Sequence, residues 1–114
     1  MGRWAQARKR GSVQQAFQFT APGAGDWEFD GAATTLNASI ISSPDGVDQW
    51  QIRWGRGTET ELPAEWTVDG PFDLGDGWSD GPGHIGAWWS ETRWFKDTLP
   101  VSDWSAPKLQ VLPV

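Results

Sequence analysis

The sequence has no cysteine, no tyrosine, a single histidine and no acidic residue before Asp26. Without cysteine, neither disulfides nor thiolate metal sites can form, which fits a reducing compartment or a particle assembled in one. No apolar run approaches the roughly 20 residues that a membrane helix needs. The basic start is not followed by the apolar segment of a secretory signal, so none is expected. With His84 as the one histidine and no cysteine, no Ser-His-Asp or Cys-His set is completed, and no enzymatic activity is expected. Glu59 and Glu61 supply a carboxylate pair, which in a hairpin loop serves solubility. His84 lies among Gly and Pro and reads as a solvated loop residue.

The charge is polarised along the chain. Arg3, Arg8, Lys9 and Arg10 are four of the nine basic residues, and all fifteen acidic residues lie at Asp26 or beyond. An acidic body behind a basic tip is repelled by nucleic acid as a whole, while the tip seeks acidic surfaces. Neither nucleic acid nor membrane is therefore an expected partner.

The chain is rich in tryptophan, with ten, against five phenylalanines. A buried tryptophan hides roughly 150–250 Å². Ten exceed what a single 114-residue core readily absorbs. Some are therefore expected at the surface, and Trp66, Trp78 and Trp89 are the candidates for an exposed binding surface.

The rest of the chain reads as strands and turns. Residues 1–12 form a basic arm closed by Gly11 and Ser12, and residues 13–114 form one domain. Phe17 and Phe19 alternate in Val13 to Thr20, and Trp27 and Phe29 mark another short strand. Leu36, Ala38 and Ile40 share one face of Thr34 to Ile41. Ser43-Pro44-Asp45-Gly46 is a turn, with proline presetting φ and glycine permitting positive φ. In Gln49 to Trp54, the residues Trp50, Ile52 and Trp54 alternate with Gln49, Gln51 and Arg53 at period two. Trp66 and Val68 form a short alternating piece. Residues 70–86 read as a long Gly/Asp loop interrupted at Phe72 to Leu74. Ala87 to Lys96 is a strand with Trp88 and Trp94 on one face and Trp89 and Phe95 on the other. The last strand places Leu109 and Val111 together. The expected core is Leu36, Ala38, Ile40, Trp50, Ile52, Trp54, Trp88, Trp94 and Val111. Short strands with no long amphipathic helix predict an all-β antiparallel sandwich. A jelly roll with the same strand pattern satisfies the periodicity equally well.

Asp76-Gly77-Trp78-Ser79-Asp80-Gly81 partly echoes a calcium loop. However, Trp78 stands where a middle oxygen ligand belongs, and Ala87 stands at the twelfth position. No metal or other cofactor is expected.

Several segments resemble a fibronectin type III domain of the immunoglobulin-like class. Asp48-Gln49-Trp50-Gln51-Ile52-Arg53-Trp54 resembles the family's third strand, and Ala87 to Phe95 its sixth. Ser102-Asp103-Trp104-Ser105-Ala106-Pro107 resembles the Ser-x-Trp-Ser-x-Pro segment before the last strand. In cytokine receptors this segment is the second half of a Trp-Ser-x-Trp-Ser motif, whose first half is replaced here by Leu99-Pro100. The opening Met1 to Gly11 resembles the start of small virion proteins of tailed bacteriophages. Together these resemblances imply an immunoglobulin-like sandwich that decorates a capsid or tail in several copies and is assembled in the host cytoplasm. Its expected partners are other virion proteins, met through Arg3, Trp4, Arg8, Lys9 and Arg10. Glycan binding through the exposed tryptophans is the alternative.

Overall fold

The computed structural model describes residues 17–81 and 84–114, so the basic arm lies outside the described residues. These residues form a β-sandwich of two antiparallel sheets with no helix. The strands are β1 (Trp27–Ala32), β2 (Thr35–Ile40), β3 (Gln49–Gly57), β4 (Thr67–Asp73), β5 (Trp78–Asp80), β6 (Gly86–Lys96), β7 (Leu99–Pro100) and β8 (Lys108–Leu112). One sheet runs β1-β2-β5. The other runs β4-β3-β6, with β7 and β8 pairing in succession along the far edge of β6.

The period-two pattern of β3 holds. Trp50 and Ile52 are fully buried, and Trp54 is half-buried against them. Across the sandwich they meet Trp27, Leu36, Ala38 and Trp78, while Trp88 and Trp94 on β6 extend the same layer. Of the expected core, Leu36, Ala38, Trp50, Ile52, Trp88 and Trp94 are buried, and Ile40 and Trp54 are half-buried. Val111 is the exception: it is 39% exposed, and Leu112 takes the inward place at 2%. The strand faces are shifted by one residue because Lys108 and Gln110 share the inner face with Leu112. A one-residue shift exchanges the two faces of a strand.

β6 is buried on both faces. Ser90 and Thr92 lie with Trp88 and Trp94 on the inner face, while Glu91 and Phe95 are covered on the outer one. The neighbouring β3 is covered by the loop before β4. A Cβ on Gly55 would come within 2.5 Å of the Glu65 carbonyl oxygen and 2.8 Å of Pro63, and one on Gly57 would collide with the Glu61 carbonyl. Glycine at these two positions lets residues 61–65 lie directly on the sheet.

Residues 70–86 are less of a loop than their composition suggests. β4 continues through Gly70 and Pro71, where two residues stand opposite Gln51 alone and the register shifts. Proline has no N–H to give to a ladder, so it is tolerated at a sheet edge beside such a bulge. β5 then pairs with β2, setting Ala38 opposite Trp78. Conversely, the strand expected over Val13 to Thr20 is not formed in its described part. Residues 17–20 are irregular, with the Phe19 amide donating to the Val101 carbonyl at 3.1 Å.

Candidate functional site

The outer face of the larger sheet is built as a stack of alternating cations and aromatics. Cross-strand pairing sets Arg53 opposite Glu91 and Gln51 opposite Arg93. Arg53 Nε donates to Glu91 Oε1 at 2.8 Å, and Arg93 Nε donates to Gln51 Oε1 at 2.8 Å. The Arg53 guanidinium lies 4.7 Å from the Trp66 ring centre and 4.6 Å from that of Trp104. Arg93 lies 4.4 Å from Trp104 and 5.4 Å from Phe95. Trp104 is therefore in contact with two guanidinium groups, an attraction between cation and ring quadrupole worth about 0.5–2 kcal/mol per contact. Burial, reinforced by the nearby Arg53 charge and opposed by Asp103, lowers the Arg93 pKa from its ordinary value.

The Ser-x-Trp-Ser segment places Trp104 there. β7 covers the end of β6 and β8 covers its beginning, leaving a gap between them. Two hydroxyls fill the gap: Ser102 Oγ accepts the Trp94 amide and Ser105 Oγ accepts the Thr92 amide, both at 2.9 Å. The Ser105 amide returns a bond to the Thr92 carbonyl at 2.7 Å. Hydroxyls three residues apart thus stand in for strand carbonyls, and the tryptophan beside the second one projects over the sheet.

The remaining tryptophans among the described residues are engaged within the fold. Trp78, expected at the surface, is 7% exposed. Its Nε1 and that of Trp54 both donate to Asp69 Oδ2 at 2.9 Å, so one carboxylate joins β3, β4 and β5 across the open flank of the sandwich. The exposure inferred from its Gly/Asp neighbours fails because Trp78 begins a strand and points into the core. Trp50 Nε1 is shared between the carbonyls of Asp73 and Asp76, and Trp88 Nε1 donates to the His84 carbonyl. Trp89 is half-buried, with Nε1 on the Thr58 carbonyl at 2.7 Å, and Trp66 is half-buried over Arg53. The three tryptophans singled out in the sequence therefore do not form one platform: Trp78 is interior, whereas Trp66 and Trp89 belong with the larger sheet. Among the described residues, no three His, Asp or Glu side chains gather as a metal site requires.

Concave regions among the described residues lie elsewhere. One, of about 340 Å³, lies on the outer face of the smaller sheet and is lined by Glu28, Asp30, Asn37, Ser39, Gly77 and Ser79, with Ala38 and Trp78 also contributing. Sequence reasoning missed it, although Glu28 and Asp30 at i and i+2, opposite Asn37 and Ser39, are its readable signal. Another, of about 630 Å³, lies at one end between residues 18–26 and 42–44, with Trp94 in its wall. Beside it Asp26 accepts the Gly23 amide and the Ser42 hydroxyl, each at 2.8 Å. Those two bonds, the backbone one foremost, lower the Asp26 pKa. The anchoring residues expected at Arg3, Trp4, Arg8, Lys9 and Arg10 lie outside the described residues. The chain matches no family model and no curated protein.

Proposed function

We propose that the chain is a non-catalytic structural module: a fibronectin type III-like accessory domain of a tailed-phage virion, docked to capsid or tail through residues 1–12. The observation that carries the fold half of this reading is the strand pairing. First, second and fifth strands share one sheet, and third, sixth and last share the other, as in immunoglobulin-like sandwiches. The segments that resemble the family's third and sixth strands fall on β3 and β6, and the one that resembles the stretch before the last strand directly precedes β8. Fold alone does not give function, so the particle role rests on the opening Met1 to Gly11 and on the charge polarity of the chain. The indole groups give the glycan alternative little support, since Trp78 is interior and the Trp89 N–H is already bonded.

Docking by charge alone is insufficient. Ordering a dozen residues costs roughly 1–2 kcal/mol each in backbone entropy, whereas an exposed ion pair returns about 0–1 kcal/mol. Trp4 is therefore the expected anchor, with the arginines orienting it. Mass spectrometry of particles purified from cells expressing the full-length chain tests this. The chain is expected at stoichiometric occupancy, and Trp4→Ala should lower that occupancy more than Arg8→Ala or Lys9→Ala. A chain that is soluble in the lysate but absent from particles overturns the reading.

A further inference from the structure

We infer that the outer face of the smaller sheet is a docking surface for the basic amino-terminal segment, residues 3–10, of a second copy of this chain. The inference goes beyond the proposed particle role: within an assembly each arm but the terminal one is taken up by a neighbouring copy, and the free terminal arm is the one left for capsid or tail.

The two sheets divide the charge. All five cations among the described residues lie on strands of the larger sheet: Arg53 and Arg56 on β3, Arg93 and Lys96 on β6, and Lys108 on β8. The smaller sheet has none, while Glu28 and Asp30 stand exposed on the outer face of β1. Loop, stack and serine segment cover the larger sheet, but no other described segment lies over the smaller one. Its groove offers two carboxylates beside the Asn37 amide and the hydroxyls of Ser39 and Ser79. Carboxylates take guanidinium groups in bidentate pairs, and the amide and hydroxyls can serve a peptide backbone. A neutral sugar would lack a stacking ring there, because Trp78 turns inward.

The complementary segment is on the same chain. Arg3, Arg8, Lys9 and Arg10 lie within eight positions, with no acidic residue before Asp26. It is assigned to a second copy because of where the described chain begins. Phe19 is bonded to Val101, and Val101 to the Trp94 carbonyl, so this part of the chain runs along the larger sheet. The groove lies on the opposite face, so a copy's own arm reaches it only by wrapping around its sandwich, whereas a neighbouring copy presents its arm directly. An arm on one copy and a face on the next make a heterologous contact, which leaves one arm and one face free at the ends of every assembly.

The test uses full-length protein in sedimentation velocity at several concentrations. Ionic strength on the order of 0.01 M, where screening is weak, is compared with about 0.3 M. Concentration-dependent association is expected at low salt and should weaken at least tenfold at high salt. Glu28→Gln with Asp30→Asn, or Arg8→Gln with Lys9→Gln and Arg10→Gln, should each weaken it tenfold or more. These changes lie on exposed β1 positions or in the amino-terminal segment, and circular dichroism checks that each variant is folded. Mixing the two variants is decisive, because one retains the arm and the other the face. They should form a 1:1 complex that neither forms alone. A wild-type chain that stays monomeric throughout, association unchanged by Glu28→Gln with Asp30→Asn, or variants that fail to complement would each overturn the inference.

Discussion

The two sheets of this sandwich treat their outer faces in opposite ways. On the larger sheet, residues 61–65 press onto Gly55 and Gly57, and Trp104 stacks with Arg53 and Arg93. Even Gln51 and Glu91, polar residues on an outward face, are less than a tenth exposed. On the smaller sheet, small polar side chains line a groove with carboxylates beside it. The larger sheet uses its outer face to hold the fold together, whereas the smaller sheet leaves its own face available. Tryptophan content alone therefore does not mark a binding surface here. Cover and charge separate the faces better.

The comparison can be broken at the carboxylate where the sheets meet. Asp69→Ala would strand two indole N–H groups, and each buried unpaired donor costs about 1–3 kcal/mol. A loss of about 2–4 kcal/mol is expected in urea unfolding, with intrinsic tryptophan fluorescence shifting as Trp54 and Trp78 lose their partner. A cost below about 0.5 kcal/mol would mean that the flank between β4 and β5 is held by packing alone.

A substitution within the stack should cost less. Trp104→Ala removes two cation–ring contacts and the packing of a half-buried indole, for a loss of about 1–3 kcal/mol. Trp104→Phe should recover part of that, and the midpoint of thermal unfolding reads both. Full stability in Trp104→Ala would reduce the covered face to incidental contact.

Acid should act more gently, at the end of the smaller sheet. Asp26 has a lowered pKa in the folded chain, so its contribution is fully present above the unfolded carboxylate value near 3.9. That contribution is lost as pH falls through the lower folded value. Because Asp26 is only half-buried, at the rim of the sandwich, the effect should be small. Asp26→Asn should flatten the stability profile below pH 4 relative to wild type. An unchanged slope would place the acid sensitivity elsewhere.

The smallest effect is expected on the available face itself. Asn37→Ala should alter unfolding free energy by no more than about 0.5 kcal/mol, as is usual for a surface position without a buried partner. A larger loss would show that this face also holds the fold together, and would weaken the contrast between the sheets.

Much of the framework is legible in the residues, and the failures have identifiable causes. β3 can be read from Trp50, Ile52 and Trp54 because one of its faces is inward, the case in which period two is clearest. β6 gives a mixed signal because both of its faces are covered, so apolar residues recur without alternation. The face of β8 is misread because Val111 is the more conspicuous aliphatic residue, while the aliphatic stem of Lys108 accompanies Leu112 inward. Its Nζ reaches the carbonyls of Ala24 and Trp27 while lying over the Trp27 ring. Trp78 is misplaced because its polar neighbours look like a solvated loop, and only pairing with Ala38 reveals the strand. The groove of the smaller sheet was missed because Glu28, Asp30, Asn37 and Ser39 are individually ordinary. They become a site only when β1 and β2 bring them side by side.

The interruption of β4 by Gly70 and Pro71 has a consequence for how copies of the chain behave when crowded together. A long, regular sheet edge is a template on which foreign strands can grow, and proteins protect themselves with proline, bulges and shortness. β4 carries a proline and a bulge, and β5 is only three residues long. On the opposite flank, Val114 and Lys108 bind the β1 side of the sandwich. Neither flank therefore offers a long, clean edge for runaway cross-β growth, so the fold is suited to being packed at high local concentration without polymerising edge to edge.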